Sequence, residues 1–267
     1  MVREPAVAGK FYPASPAALR SDLNSYLSPP RNRVSAIGCI APHAGYMYSG
    51  PVAGALFSSI EIPSRCIVLC PNHTGRGHPL AIMTDGKWRT PLGEVIVDSP
   101  LAKELLRSCS ALTEDAAAHE FEHAIEVELP FLQALRPDVQ IVPIAVGTGR
   151  LMLLDHLGRA LASAIHSSRD PVLIIASSDM NHYEDDASTR VKDRKAIDKI
   201  LALDPQALYE TIMTESISMC GFGPAVAMLT AAKLLGATKA ELVQYATSGD
   251  VSGDRNMVVG YAGIVVR

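Results

Sequence analysis

Apolar positions along this chain fall into two kinds of run. Val34 to Ala41, Arg65 to Cys70, Val139 to Val146 and Val172 to Ser177 are short, rich in β-branched residues and apolar nearly throughout. Each gives way to Gly, Pro, Asn or Asp, which predicts strands buried on both faces. Between and after them, apolar residues return at helical spacing. Glu122 to Leu135 sets Ile125, Leu129 and Leu132 on one face, with Pro130 as a point of kinking, and 150–166, 188–203, 205–214 and 224–235 read likewise. Ser49-Gly50-Pro51 predicts a helix running to about Ile60, with Ser49 as cap and Pro51 in the first turn. Leu242 to Ala246 and Met257 to Val266 read as late strands, and Trp88 to Val97 as a hairpin appended to the core. The alternation predicts an α/β fold, a mainly parallel mixed sheet flanked by helices on both faces. With no linker, composition break or repeat, residues 1–267 are expected to form a single domain.

Composition narrows the function. The 267 residues are 48% hydrophobic and 19% charged, and 24 basic against 28 acidic side chains leave a net charge of −4. That balance offers no footprint for nucleic acid or an anionic membrane. No apolar run approaches a bilayer span, and Met1-Val2-Arg3-Glu4-Pro5 lacks a secretion signal, so a cytoplasmic protein is expected. Cysteines at 39, 66, 70, 109 and 220 form no CxxC pair and no even framework. All but Cys220 lie in or beside apolar stretches, as buried thiols do.

Three predicted strands end in similar chemistry. They run into Pro42-His43-Ala44-Gly45-Tyr46, Asn72-His73-Thr74-Gly75 and Ser178-Asp179-Met180-Asn181-His182. A lone loop histidine is usually just solvated, but ligands of open α/β sheets gather beyond the strands' carboxyl ends, and three histidines there point to a site. Cys220 precedes Gly221-Phe222-Gly223-Pro224 at a helix start, where the dipole favours thiolate. Two imidazoles and a thiolate suit zinc, iron or copper rather than magnesium or calcium, and three ligands leave a position open. His119-Glu120-Phe121-Glu122-His123 is a literal HExxH, yet no third acidic or His ligand stands between Asp138 and Asp155. His119 is expected to be a solvated helix-start residue. Glu122, His123 and Glu126 are expected either to support the site or to be helix-surface charges. Gly75-Arg76-Gly77 lacks a dinucleotide fingerprint, and no GxSxG surrounds Ser177 and Ser178. Phe11, Tyr12, Tyr46, Tyr48 and Tyr183 flank these motifs as pocket walls or as ordinary packing.

Gly9-Lys10-Phe11-Tyr12-Pro13, Ala41 to Tyr46, Pro71-Asn72-His73, Glu122 to Glu126, Ser177 to His182 and Cys220-Gly221 together resemble the Memo family over nearly the whole chain. The resemblance implies a fold similar to LigB-type class III extradiol dioxygenases, in which two His and one Glu bind Fe(II). By that analogy His43 and His73 are metal ligands, Cys220 stands where the dioxygenases carry their glutamate, and His182 is the acid/base histidine. Asp179 would orient or charge His182 or approach the metal. Fe(II) is the expected ion, with Cu or Zn as alternatives. Thiolate for carboxylate softens the site, so dioxygenase activity does not simply carry over. Phe11 replaces the Trp of animal members. The family setting implies peptide or small-molecule ligands, or AMMECR-type and radical-SAM partners in the AmmeMemoRadiSam system. Three functions stay open on these residues: a metal-dependent oxidoreductase, a non-catalytic binding module using the same cleft, and a zinc hydrolase.

Overall fold

A computed structural model describes residues 1–28 and 33–267. In chain order the strands are β1 (Val2–Arg3), β2 (Gly38–Ala41), β3 (Arg65–Pro71), β4 (Leu80–Ile82), β5 (Lys87–Thr90), β6 (Gly93–Val97), β7 (Thr113–Glu114), β8 (Gln140–Val146), β9 (Val172–Ser177), β10 (His182–Glu184), β11 (Ala240–Thr247) and β12 (Val258–Val266). The helices are α1 (Pro16–Tyr26), α2 (Tyr46–Ser59), α3 (Ser99–Ser108), α4 (Ala124–Leu135), α5 (Leu151–His166), α6 (Asp186–Leu201), α7 (Pro205–Thr214), α8 (Phe222–Leu234) and α9 (Gly249–Ser252).

One mixed sheet carries all these strands, ordered β1-β5-β6-β8-β3-β9-β2-β12-β10, with β11 on β12 and with β4 and β7 branching from β8. The run β6-β8-β3-β9-β2 is parallel, as the continuous apolar runs predict, and β12 closes it antiparallel to β2. Pro143 lies where the far edge of β8 changes partner, from β6 at Gln140 and Ile141 to β4 at Ile144 to Val146, so its missing N–H falls at a break in the pairing. Helix α8 is buried from Gly223 to Ala232 and packs on β2, β3, β9 and α5, consistent with a segment apolar on every side.

Three expectations need correction. The first strand is only Gly38–Ala41, and Val34 makes a single bridge to Ile60. Helix α2 starts at Tyr46, capped by Gly45 and tied by the Tyr46 N–H to the Phe11 carbonyl, so Pro51 lies inside the helix rather than in its first turn. The β5–β6 hairpin is not an appendage: β6 pairs in parallel with β8, and Trp88 is fully buried. Among the described residues no helix is long and apolar enough to cross a membrane.

Candidate metal centre

Register places the site. Ala41 pairs with Ser177, and β3 lies along the other side of β9, so the carboxyl ends of β2, β9 and β3 are neighbours. The loops leaving them carry His43, Asp179 and His73. Helix α4 brings His123 at its N-terminal cap, and the loop before α8 brings Cys220. These residues, with Phe11, His182, Ser218 and Tyr261, line one cleft of about 530 Å³.

His43, His73 and His123 offer ring nitrogens that all lie within 4.8 Å of one another, a set able to hold a metal ion. His73 and His123 stack at 4.7 Å between ring centroids, and His43 stands edge-on to both at 5.2 and 5.5 Å. Cys220 lies outside that trio but touches one member: its Sγ is 3.4 Å from His43 Nε2. Sγ also accepts from the Asp179 backbone N–H at 3.3 Å.

Neighbouring groups fix which nitrogen faces the cleft. Glu122, fully buried, accepts from the His73 backbone N–H (2.6 Å), from His73 Nδ1 (2.9 Å) and from the Ala124 N–H (3.0 Å). His73 Nδ1 therefore carries the proton and Nε2 the free lone pair. His182 Nδ1 lies 2.9 Å from the Ser218 carbonyl oxygen, which only accepts, so His182 Nε2 is also unprotonated while the ring is neutral. Ser218 Oγ accepts the His182 backbone N–H. Asp179 instead bonds the His43 backbone N–H through Oδ1 at 2.9 Å, so Ser218, not Asp179, holds His182. Tyr183 adopts φ 61° at the bulge after His182, which turns its ring outward at the cleft mouth.

Electrostatics favour neutral donors. Burial, reinforced by the other imidazoles, holds His43 well below the ordinary histidine range, and burial lowers His123 and His182 too. Burial also depresses His73, but the hydrogen bond and charge of Glu122 outweigh it and leave this ring above its usual value. Burial drives the Cys220 thiol upward, with the Asp179 charge adding to it. Burial thus opposes the thiolate that the helix start favours.

Buried carboxyls carry a stability prediction. Burial pushes Glu128 from 4.5 to about 8, Asp179 from 3.8 to about 7 and Asp193 from 3.8 to about 6. Between the lower and upper value of each pair, the folded protein keeps a proton that the unfolded chain has lost. Unfolding free energy therefore falls as pH rises through this window, by about 1.4 kcal/mol per pH unit for each such group. Urea titrations from pH 4.5 to 8 should show the decline, and Glu128→Leu should flatten its upper part.

Gly221 is a second checkable point. A Cβ there would run into the Ser177 carbonyl oxygen and the Ser178 side chain, because the start of α8 presses directly on the end of β9. Gly221→Ala should cost about 1–3 kcal/mol in a denaturant titration and move Cys220 away from His43.

The HExxH motif separates into two places. Residues 117–119 form a turn of 3-10 helix, and α4 begins only at Ala124. His119, expected to be solvated, is fully buried with its ring 5.7 Å from Trp88. Burial holds it neutral, lowering its pKa to about 4. Glu122 and Glu126 are buried anchors rather than surface charges. Sequence reasoning left His123 among supporting or surface residues, although its place one step before an apolar helix was visible. It missed Ser177, Ser218 and Glu128 as contacts, since only the fold brings them to these rings.

The family model described as Memo-like protein matches residues 3–265. The chain belongs to the Memo family. A MEMO1 family protein of Methanopyrus kandleri is 43% identical over 281 residues, covering 100% of this chain and 99% of that protein. One from Archaeoglobus fulgidus is 44% identical over 266 residues, with 100% of both chains covered. The crystal structure of an uncharacterized protein from Escherichia coli K12 superposes with a TM-score of 0.55 at 12% identity, over 85% of this Memo chain and 98% of that one. That likeness is one of fold.

Proposed function

We propose that this Memo family chain is a metal-dependent oxidoreductase acting on a small, largely planar substrate. Support comes from one observation: three imidazoles converge beside a thiol and a fourth histidine in a single cleft. The donors fit an ion, since His73 is set with its lone pair free by Glu122 and burial keeps His43 and His123 uncharged. His43, His73 and His123 would hold the ion, with Cys220 Sγ beside His43 as a further donor. Nitrogen and sulfur donors select iron, copper or zinc, and Fe(II) is our assignment. Such an ion supplies electron transfer and Lewis-acid polarisation when bound.

The remaining roles belong to the chain. His182 Nε2, free because Nδ1 is bonded to Ser218, takes a proton from the substrate and returns it. Asp179, pushed up to about 7, holds a proton near neutrality. Phe11, whose ring lies 4.8 Å from that of His123, and Tyr261 wall the cleft against water and orient a planar ring. Oxygen uptake by iron-loaded protein over a panel of catechols tests the reading. His182→Ala should retain iron yet lose ~10²–10⁴-fold in rate. Absence of turnover across the panel, or equal turnover without His182, rejects it.

A specific observation favours a binding module as the second reading. A cavity of about 530 Å³ lined by Lys10, Tyr12, Tyr26, Tyr46 and Tyr48 shares Phe11 and Gly45 with the imidazole cleft. Such a continuous surface could seat an extended ligand, including a peptide. Calorimetry with peptides in chelator separates the readings, because affinity that persists without metal and without turnover supports the module.

A further inference from the structure

Helix α4 carries a buried carboxyl group that is only half satisfied among the described residues. Glu128 is buried, its Oε2 has no hydrogen-bond partner among the described residues, and its Oε1 lies 2.7 Å from Ser177 Oγ. Ser177 Oγ is in turn 2.8 Å from His43 Nδ1, and His43 Nε2 faces Cys220. A buried acid with one half unsatisfied costs stability, so packing alone gives no reason for it. Its one side-chain hydrogen bond among the described residues leads, through the Ser177 hydroxyl, to His43.

The direction of the chain follows from counting protons. Ser177 has one to give, and its oxygen acceptors are Glu128 Oε1 and, at 3.3 Å, the Ala124 carbonyl. If Glu128 is ionised, Ser177 donates to it. If Glu128 is protonated on its other oxygen, Oε2, then Oε1 still accepts from Ser177. With Oε1 accepting from Ser177 in either state, a lone pair of Ser177 meets Nδ1 and His43 supplies the proton there; the opposite tautomer requires the acid proton to sit on Oε1. The Nε2 lone pair then faces the cleft beside Cys220 Sγ, as His73, where Glu122 acts directly, turns its own Nε2 free.

We propose that Glu128 is a positioning residue acting through Ser177: it holds His43 as the Nδ1–H tautomer and so presents Nε2 as a donor to a cation. This rests on the reading of His43 as a metal donor, and the test separates the two. Nitrogen-15 NMR of metal-free protein reports the His43 tautomer, and calorimetry with Zn²⁺ alone reports the affinity. Wild type should show a protonated Nδ1. Ser177→Ala and Glu128→Leu should release that tautomer and weaken Zn²⁺ binding by about 10–100-fold, the usual range for groups behind a metal-binding histidine. Glu128→Gln keeps an acceptor for Ser177 and should stay within about threefold of wild type. Glu128→Leu also removes a buried, half-satisfied acid, so its Tm should hold or rise while affinity falls, opposite to what general damage produces. An unchanged tautomer and affinity in Ser177→Ala and Glu128→Leu would overturn the proposal, as would an affinity loss that merely tracks a fall in Tm. Wild type that binds no Zn²⁺ but shows the tautomer shift in both variants would retire the metal reading and leave the relay standing.

Discussion

Glu126→Ala should lower the unfolding free energy by about 3–5 kcal/mol, the cost expected when one member of a buried ion pair is removed. The carboxylate is fully buried and pairs with Arg3, itself 5% exposed. It also accepts the backbone N–H groups of Ala6 (2.8 Å) and Val7 (3.0 Å) and the Tyr12 hydroxyl (2.6 Å). Without it the guanidinium keeps, among the described residues, the carbonyls of His119 (3.0 Å) and Glu122 (2.6 Å) and the face of Trp88 at 4.5 Å. Arg3 would then be a buried cation with no counter-charge, and three further donors would lose their acceptor. The same anchor fixes the chain from Ala6 to Tyr12, so Phe11 should leave the cleft wall as stability falls. A urea midpoint that drops with unchanged slope is the expected result. A loss below about 1 kcal/mol, the worth of an ordinary surface pair, would show that the anchor is not what holds this segment.

Glu122→Ala has the second large effect, on binding. One buried carboxylate sets the His73 backbone, the His73 ring and the start of α4 at once. Its removal frees the ring to rotate and to place its proton on either nitrogen. Zn²⁺ affinity by calorimetry should weaken by about 10–100-fold. The pH dependence should move as well. Loss of Glu122 lets burial dominate, so the His73 pKa falls, and proton competition for this nitrogen should begin at lower pH than in wild type. An affinity unchanged across pH 5 to 8 would mean that His73 needs no such support.

Much of the architecture was legible because buried parallel strands have an unmistakable pattern. The strand from Val172 to Ser177 was placed residue for residue, and β3, β8, α5, α7 and α8 to within two residues at either end. Legibility failed where a partner element decides the outcome. Pro51 reads as a helix start, yet α2 begins five residues earlier because Gly45 and the Phe11 carbonyl cap it. Helices α1 and α3 went unread, although each carries a proline in its first two positions behind Ser15 or Asp98 at its N-cap. At the site, His43, His73, Asp179, Cys220 and His182 were readable as chemistry at strand and helix ends, and all five line the same cleft. His123 was visible but ambiguous, since its ring joins the others only through the docking of α4 on β3 and β9. Buried Glu128 gave no signal of its target, because Ser177 is 49 residues away in sequence. For the Cys220 thiol, sequence shows the helix dipole but not the burial that opposes it.

Side chains from four separate loops are expected to form one cation site. Metal analysis of protein purified without chelator, under exclusion of oxygen, tests it most directly in wild type and in His43→Ala, His73→Ala, His123→Ala and Cys220→Ser. Wild type should hold close to one equivalent of iron, copper or zinc, with near-complete loss in each histidine variant and a weaker deficit or altered spectrum in Cys220→Ser. Metal content equal to wild type in all three histidine variants would contradict it.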